Sequence, residues 1–415
     1  MKKRKVKVLR NLNKWILVLT IIFAFGGAFF ILDASSISAT LTYGKSSPYF
    51  FFSRQLIFVI ASFIIAIIIL KMIDTKAYEP LSGIASLVLL GITSIKVFSN
   101  VITGGISTLT INIAGIQLQP AEFLKLFLTI YVGSFLGKWS NCGKPKWLIL
   151  FPLSMCLFAV ILVVAGGDLG SAAIMLALFA LIIVSTPLRK DIINSENKSD
   201  IILKKAMTSL KYIAVIGLFG SVALLKFGYK IIPEELLSQS QRLSRLIYTN
   251  PCDRYEEQTG YQVCNGYIAI DNGGLFGVGP GKSVQKYLYL PESHTDFIFP
   301  IIVEEFGVIT GVIIILLYMF LTYLIFKVAT NTYDLSKSII CYGIGIYFML
   351  HIFVNLGGVL GIIPLTGVPL PFLSYGGSSC LAIIGAFTVI QRIYIENQIE
   401  KKNREINKIV NKYII

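Results

Sequence analysis

The chain reads as a succession of long apolar runs separated by mostly short polar segments. The runs fall at Trp15–Leu32 and near residues 55–70, 79–98, 121–137, 147–165, 169–187, 212–229, 298–326, 338–357 and 378–395. Each is about as long as a helix must be to cross a hydrocarbon core of roughly 30 Å. Strand-type alternation over short segments is absent, which argues against an outer-membrane barrel. The pattern predicts an all-α, polytopic membrane protein of about ten transmembrane helices. The first run follows a basic segment as a signal peptide would. It is too long for one and no small-residue cleavage site follows, so a retained anchor is expected. The chain divides into a basic segment at 1–14, a membrane domain at 15–396 and a basic tail at 397–415.

One polar segment is large, running from 230 to 297 between the seventh and eighth apolar runs. It is too rich in Tyr, Leu and Ile for a disordered linker. Turn signals at Asn250-Pro251, Asn272-Gly273-Gly274 and Gly279-Pro280-Gly281 break it up, and short helices or a re-entrant piece packed on the bundle are expected. In the tail, Ile399, Ile406, Val410 and Tyr413 fall roughly along one helical stripe among basic residues, the pattern of a cytoplasmic interfacial helix on anionic lipid, with a frayed, solvated tail as the alternative.

Composition sharpens this picture. The chain is 55% hydrophobic with a mean hydropathy of +0.75, which excludes an ordinary soluble globular protein. A net charge of +15 in a soluble protein would suggest nucleic acid. Here 26 of the 37 Lys and Arg lie in alternate segments, at 1–14, 71–76, 138–146, 189–211, 327–337 and 392–412, whereas the loop 230–297 mixes six basic with eight acidic residues. That bias predicts both termini in the cytoplasm, the large loop outside the cell, and no nucleic-acid partner. The six cysteines form no C-x-x-C pair, so no zinc or redox motif is supported. Cys252 and Cys264 share the outer loop. They read first as free thiols, with a disulfide the alternative because an extracytoplasmic compartment permits one.

Ionisable residues next to apolar runs are costly to hold and mark candidate working sites. Glu122 and Lys125 lie at the outer start of the fourth run, three apart, so they share a helix face and can pair. Either they form a purely structural pair, or Lys125 attracts a phosphate while Glu122 positions it. Asp168, in AGGDLGSAA, reads as the N-cap of the next helix or as a carboxylate facing the same cavity. Asp296 ends the polar cluster 292–296. With His294 it suggests an acid–base set, and Lys286 stands close in sequence; the plain alternative is that Asp296 caps the eighth run. His351, alone in an apolar run, reads as a hydrogen-bonded packing residue. Glu304 and Glu305 point about 100° apart on a helix, so at most one should face a given cavity easily, and structural pairing with a neighbouring helix is expected for one of them. The segment from Gly367 to Ser379 holds two prolines and a Gly-Gly. Such non-helical backbone at membrane depth survives only where protein or a wet cavity shields it, so Ser374 and Gly376 are expected to line the site.

These motifs occur together in a recognisable order. DASSISA (33–39), QPAEFLK (119–125), NP-x-D with GYQ (250–262), YLPESHTDFIF (289–299), EE-x-G (304–307) and GVPLPFLSYGGSS (367–379) closely resemble the SEDS family of cell-wall proteins over nearly the whole chain. Ser35-Ser36 and the YFFFSRQL entry at 49–56 resemble the division and sporulation branch, FtsW and SpoVE, more than the elongation branch, RodA. The segment GGISTLTINIAG stands where the family commonly has an Arg-Trp pair, and Gly167 stands where it has Pro before Asp-Leu-Gly.

The resemblance implies a ten-span peptidoglycan glycosyltransferase at the bacterial cytoplasmic membrane. It would polymerise lipid II outside the cell and release undecaprenyl pyrophosphate, in division, sporulation or shape maintenance. Its expected partners are a class B penicillin-binding protein and other divisome or elongasome proteins. It implies a catalytic Asp296, and binding roles for Glu122, Lys125, Asp168 and Arg54. In the expected mechanism Asp296 is general base on the acceptor hydroxyl. Lys125, Arg54 and a Mg2+ or Mn2+ ion would neutralise the departing pyrophosphate, although the sequence shows no closed metal cage. A lipid II flippase and a non-catalytic recruiter of the penicillin-binding protein are the rival readings.

Overall fold

The computed structural model describes residues 11–41, 44, 47–103, 109–113, 116–188, 190–193, 197–231, 250–287 and 289–414. Most of the basic segment 1–14 and residues 232–249 of the large loop therefore lie outside the described residues. The described chain is helical apart from turns and one small hairpin. We number its longer helices α1 (Lys14–Leu41), α2 (Phe50–Met72), α3 (Tyr78–Thr103), α4 (Pro120–Ser140), α5 (Leu150–Ala165), α6 (Leu169–Ser185), α7 (Lys198–Ile231), α8 (Gln258–Gly273), α9 (Ile298–Thr330), α10 (Leu335–Val359) and α11 (Gly377–Ile414). Every expected apolar run overlaps one of these helices, and α8 lies in the large loop. By length and composition, seven helical stretches among the described residues can cross a membrane: Lys14–Leu41, Phe50–Met72, Thr75–Asn100, Lys146–Ala165, Ile298–Thr330, Leu335–Val359 and Gly377–Asn411. Helix α6 is apolar but shorter, and α4 carries charge in its interior. The protein is an all-α, multi-pass membrane protein.

Helix α4 is the centre of the bundle, packed on α3, α10, α11, α5 and α6. Small residues make this possible. A Cβ at Gly137 would meet the Ser336 backbone at 2.3 Å, so only glycine lets α4 and α10 approach this closely. Pro120 opens α4 at the position where a missing N–H costs nothing, and Asp334 caps α10 by accepting the Ser336 and Lys337 amides.

Two local features depart from the expectation. Ile111–Ile113 and Ile116–Leu118 form an antiparallel hairpin just before α4, because Ile-Asn-Ile and Ile-Gln-Leu alternate at strand period. Cys252 and Cys264 are joined in a disulfide, which corrects the free-thiol reading. The one-turn helix Pro251–Arg254 and helix α8 bring their Cα atoms to 5.0 Å, a proximity that a spacing of 12 residues cannot reveal.

The tail is helical, since α11 continues unbroken from the membrane domain to Ile414.

Candidate active site

Charged and polar groups gather at one end of the bundle, where α1 and α10 end and α2, α4, α6, α9 and α11 begin. The innermost group is centred on Lys125, which is fully buried. Its Nζ lies 2.6 Å from Glu122 Oε1, 3.0 Å from His351 Nε2 and 3.5 Å from Ser171 Oγ. An ammonium only donates, so His351 Nε2 must accept; the ring proton is thereby assigned to Nδ1, which donates to the Tyr347 carbonyl at 2.9 Å. The second Glu122 oxygen stands 3.7 Å from His351 Nε2. The predicted pair is thus real, but it is a triad. His351, read from sequence as a packing residue, belongs to it.

Asp168 joins from α6. It caps that helix by accepting the Ser171 amide at 2.9 Å, and its other oxygen accepts Gln119 Nε2 at 2.8 Å. The Gln119 amide in turn donates to Ser378 Oγ at 2.9 Å. The cap reading of Asp168 therefore holds. The same geometry also ties it to the start of α4 and, through Ser171, to the neighbourhood of Lys125.

Asp296 is half-buried in the turn before α9. It does not cap that helix: the N-cap position is Phe297, with no side-chain cap bond. Its carboxylate accepts Thr295 Oγ1 at 3.2 Å. Asn355, one helical turn beyond His351 on α10, donates to the Asp296 carbonyl at 2.9 Å and to the Val368 carbonyl at 2.8 Å. One side-chain amide thus ties the Asp296 turn to the segment 367–376. The sequence reading missed Asn355, although its spacing of four from His351 was a usable signal.

The remaining candidates form the surround. His294 is buried against Phe51, with ring centroids 4.4 Å apart, and its carbonyl accepts the Tyr375 amide at 2.9 Å. Burial pushes its imidazole down to about 4, Glu292 opposing, so His294 is neutral near pH 7. Arg54 lies over the Phe50 ring at 4.4 Å and bonds Tyr375. The Gly376 amide donates to Gln55 Oε1 at 3.2 Å, while Ser374 Oγ accepts the Leu370 amide at 2.8 Å and so folds its own segment.

Lys286 sits elsewhere than beside Lys125. Its Nζ is 2.6 Å from Glu305 Oε1 and 2.9 Å from Asp33 Oδ1. Burial pulls its pKa down, but the bonds to Glu305 and Asp33 prevail and hold it above the ordinary lysine value. The structural pairing expected for one glutamate falls to Glu305, though its partner Lys286 lies in the loop and not on a neighbouring helix, and both glutamates bond that loop. Glu305 accepts the Gly281 and Ser283 amides at 2.9 and 3.1 Å, and Glu304 accepts the Val284 amide at 3.1 Å. The loop wraps around the first turns of α9, so side chains 100° apart both meet it. The helix is broken at Gly307, whose φ of 84° is left-handed. The Glu304 and Glu305 carbonyls are taken by the Val278 and Gly279 amides at 2.9 and 3.0 Å. A broken helix is tolerated at this depth because the loop satisfies its backbone.

Comparison with known proteins agrees with this architecture. The profile of a family described as cell cycle protein, covering FtsW, RodA and SpoVE, matches residues 13–399. A Bacillus subtilis protein named probable peptidoglycan glycosyltransferase FtsW is 31% identical over 406 residues, which cover 96% of this chain and 95% of that one. Stage V sporulation protein E of the same organism is 29% identical, over 91% of this chain and 95% of that one. Among solved structures, a chain described with a peptidoglycan synthase complex that coordinates polymerization and crosslinking aligns at a TM-score of 0.62 and 20% identity, covering 93% of this chain and 98% of that one. Thermus thermophilus RodA aligns at a TM-score of 0.57 and 21% identity, over 92% of this chain and 96% of that one.

Proposed function

The chain belongs to the FtsW, RodA and SpoVE family, and from that premise we propose that it is a peptidoglycan glycosyltransferase that polymerises lipid II and releases undecaprenyl pyrophosphate. The observation that carries this reading is the buried Lys125 cation, shared with Glu122 and His351, one turn of α10 from the Asn355 that holds the Asp296 turn. A half-exposed carboxylate and a desolvated cation at the same end of the bundle are what glycosyl transfer from a pyrophosphate donor requires.

Asp296 acts as general base on the acceptor hydroxyl, a role typically worth about 10²–10⁴-fold. Lys125 and Arg54 stabilise charge on the departing pyrophosphate. Glu122 and His351 hold the Lys125 ammonium in place, and neutral His294 supports the Asp296 turn by packing. Among the described residues no three carboxylates, imidazoles or thiols gather to hold a metal ion. Mg2+ usually takes only one or two protein carboxylates beside phosphate oxygens, so a Mg2+ or Mn2+ ion arriving with the pyrophosphate is compatible with these residues, and no step is assigned to it.

The site faces the cell exterior in this reading. The distribution of Lys and Arg supports that side, and so does the disulfide at Cys252–Cys264, a bond of oxidising compartments. The partner is a class B penicillin-binding protein, as the likeness to a chain of a polymerising and crosslinking complex suggests.

Purified protein, alone and with that partner, is incubated with labelled lipid II. Glycan strands from wild type and none from Asp296→Ala are expected. Lipid transfer across vesicles without strands would replace the polymerase with a flippase, and neither activity would leave a recruiter.

A further inference from the structure

The opposite end of the bundle holds a second constructed feature. Lys14 and Asp33 lie on the same helix, 19 residues and so about 28 Å apart, which puts the start of α1 across the membrane from the candidate site. Between that start, the last turn of α9 and the middle of α11 lies a cavity of about 620 Å3. This is within the usual size range of small-ligand sites. Lys14, Lys327 and Lys401 line it, and among the described residues no carboxylate does. Of the acids around it, Glu396 is committed to Lys337 and Arg392, Glu400 to Arg404, and Asp334 to the α10 cap.

The walls are fixed. Asn397, buried in α11, donates to the Asn331 carbonyl at 2.7 Å and accepts the Tyr333 amide at 3.2 Å. The Asn13 amide donates to Gln391 Oε1 at 2.8 Å. The level is that of a membrane boundary. Apolar helix gives way to basic residues at this height on α1, α9 and α11, and Trp15, Tyr323 and Tyr333 are exposed there in the manner of an aromatic belt. Below it, Val18 and Ile22 of α1 and Phe320 of α9 present exposed apolar side chains along which acyl chains can lie.

We propose that this cavity binds the phosphate headgroup of an anionic phospholipid, with Lys14, Lys327 and Lys401 as its cationic contacts. Three lysines lining one cavity that no described carboxylate lines, at headgroup depth and flanked by lipid-facing helix surface, select a negative lipid over a zwitterionic one. A lysine at such a surface is worth about fivefold in binding, so three are worth about a hundredfold.

The test is native mass spectrometry of the full chain in detergent, titrated with phosphatidylglycerol, phosphatidylcholine or inorganic phosphate. Wild type should retain phosphatidylglycerol at least tenfold better than phosphatidylcholine. The triple variant Lys14→Gln/Lys327→Gln/Lys401→Gln should lose about a hundredfold. A control triple of basic residues outside the cavity, Lys71→Gln/Lys402→Gln/Lys408→Gln, should change retention less than threefold. All six positions are exposed, so neither variant threatens the fold. Equal retention of the two lipids, equal loss in the two triples, or displacement of the lipid by millimolar inorganic phosphate would overturn the proposal.

Discussion

Removing the Lys125 ammonium tests whether its ion pair with Glu122 does more than hold the bundle. Lys125→Met leaves a carboxylate with 3% of its side chain exposed facing an imidazole that has no proton on that side. Breaking a buried pair from one side costs about 3–5 kcal/mol, because the charge left behind stays desolvated. At about 2.1 cal/mol/K per residue, 415 residues give an unfolding entropy near 0.9 kcal/mol/K, so Tm should fall by about 3–6 °C. Glu122→Gln/Lys125→Met removes both charges, and its Tm should return to within about 1–2 °C of wild type. Polymerisation of labelled lipid II, read as strand length on a gel, should stay at least about 10²-fold down in both variants, because the leaving group has lost its cation. Near-normal polymerisation by the double variant would refute the catalytic part of the reasoning and leave a structural pair. A single variant as stable as the double would refute the electrostatic part.

Three other outcomes follow from the geometry. Gly307→Ala places a Cβ 2.2 Å from the Leu275 carbonyl at a left-handed φ; it should cost at least about 2 kcal/mol and expose the loop 274–286 to limited proteolysis. His294 has a folded pKa of about 4 against an ordinary 6.5, so only the unfolded chain binds a proton between those values. Its contribution, about 3 kcal/mol, is complete above pH 6.5 and is lost as pH falls toward 4. A Tm series from pH 7.5 to 4.5 should show that slope in wild type and a smaller one in His294→Gln. Cys252→Ser, or reduction of the wild type, should lower stability by about 3 kcal/mol through the short loop it opens, measured by thermal unfolding with and without reductant.

What the sequence made legible was whatever depends on one helix at a time. Apolar length located a helix at every expected run, and a spacing of three paired Glu122 with Lys125 correctly. The cap at Asp168, one of its two readings, was legible because capping is local. Contacts between helices were harder to see. His351 joins Lys125 across 226 residues, and nothing in its own apolar surroundings announces that partner. Lys286 was grouped with Asp296 because they are near in sequence, yet Asp33 lies 253 residues away and claims it. For a related reason the partner expected for one glutamate on a neighbouring helix turns out to be Lys286, in a loop that embraces α9. Asn355 went unnoticed because an amide carries no charge to flag it.

The Glu122–Lys125 contact also has a bearing on biogenesis. The two residues sit in one helix, three positions apart, so their neutralisation can form as soon as that helix winds. His351 is made 226 residues later, which at about 5–20 residues per second is a delay of roughly 10–45 s. During that interval the fourth helix must be handed from translocon to lipid without its eventual imidazole neighbour, and it brings its own counter-ion along.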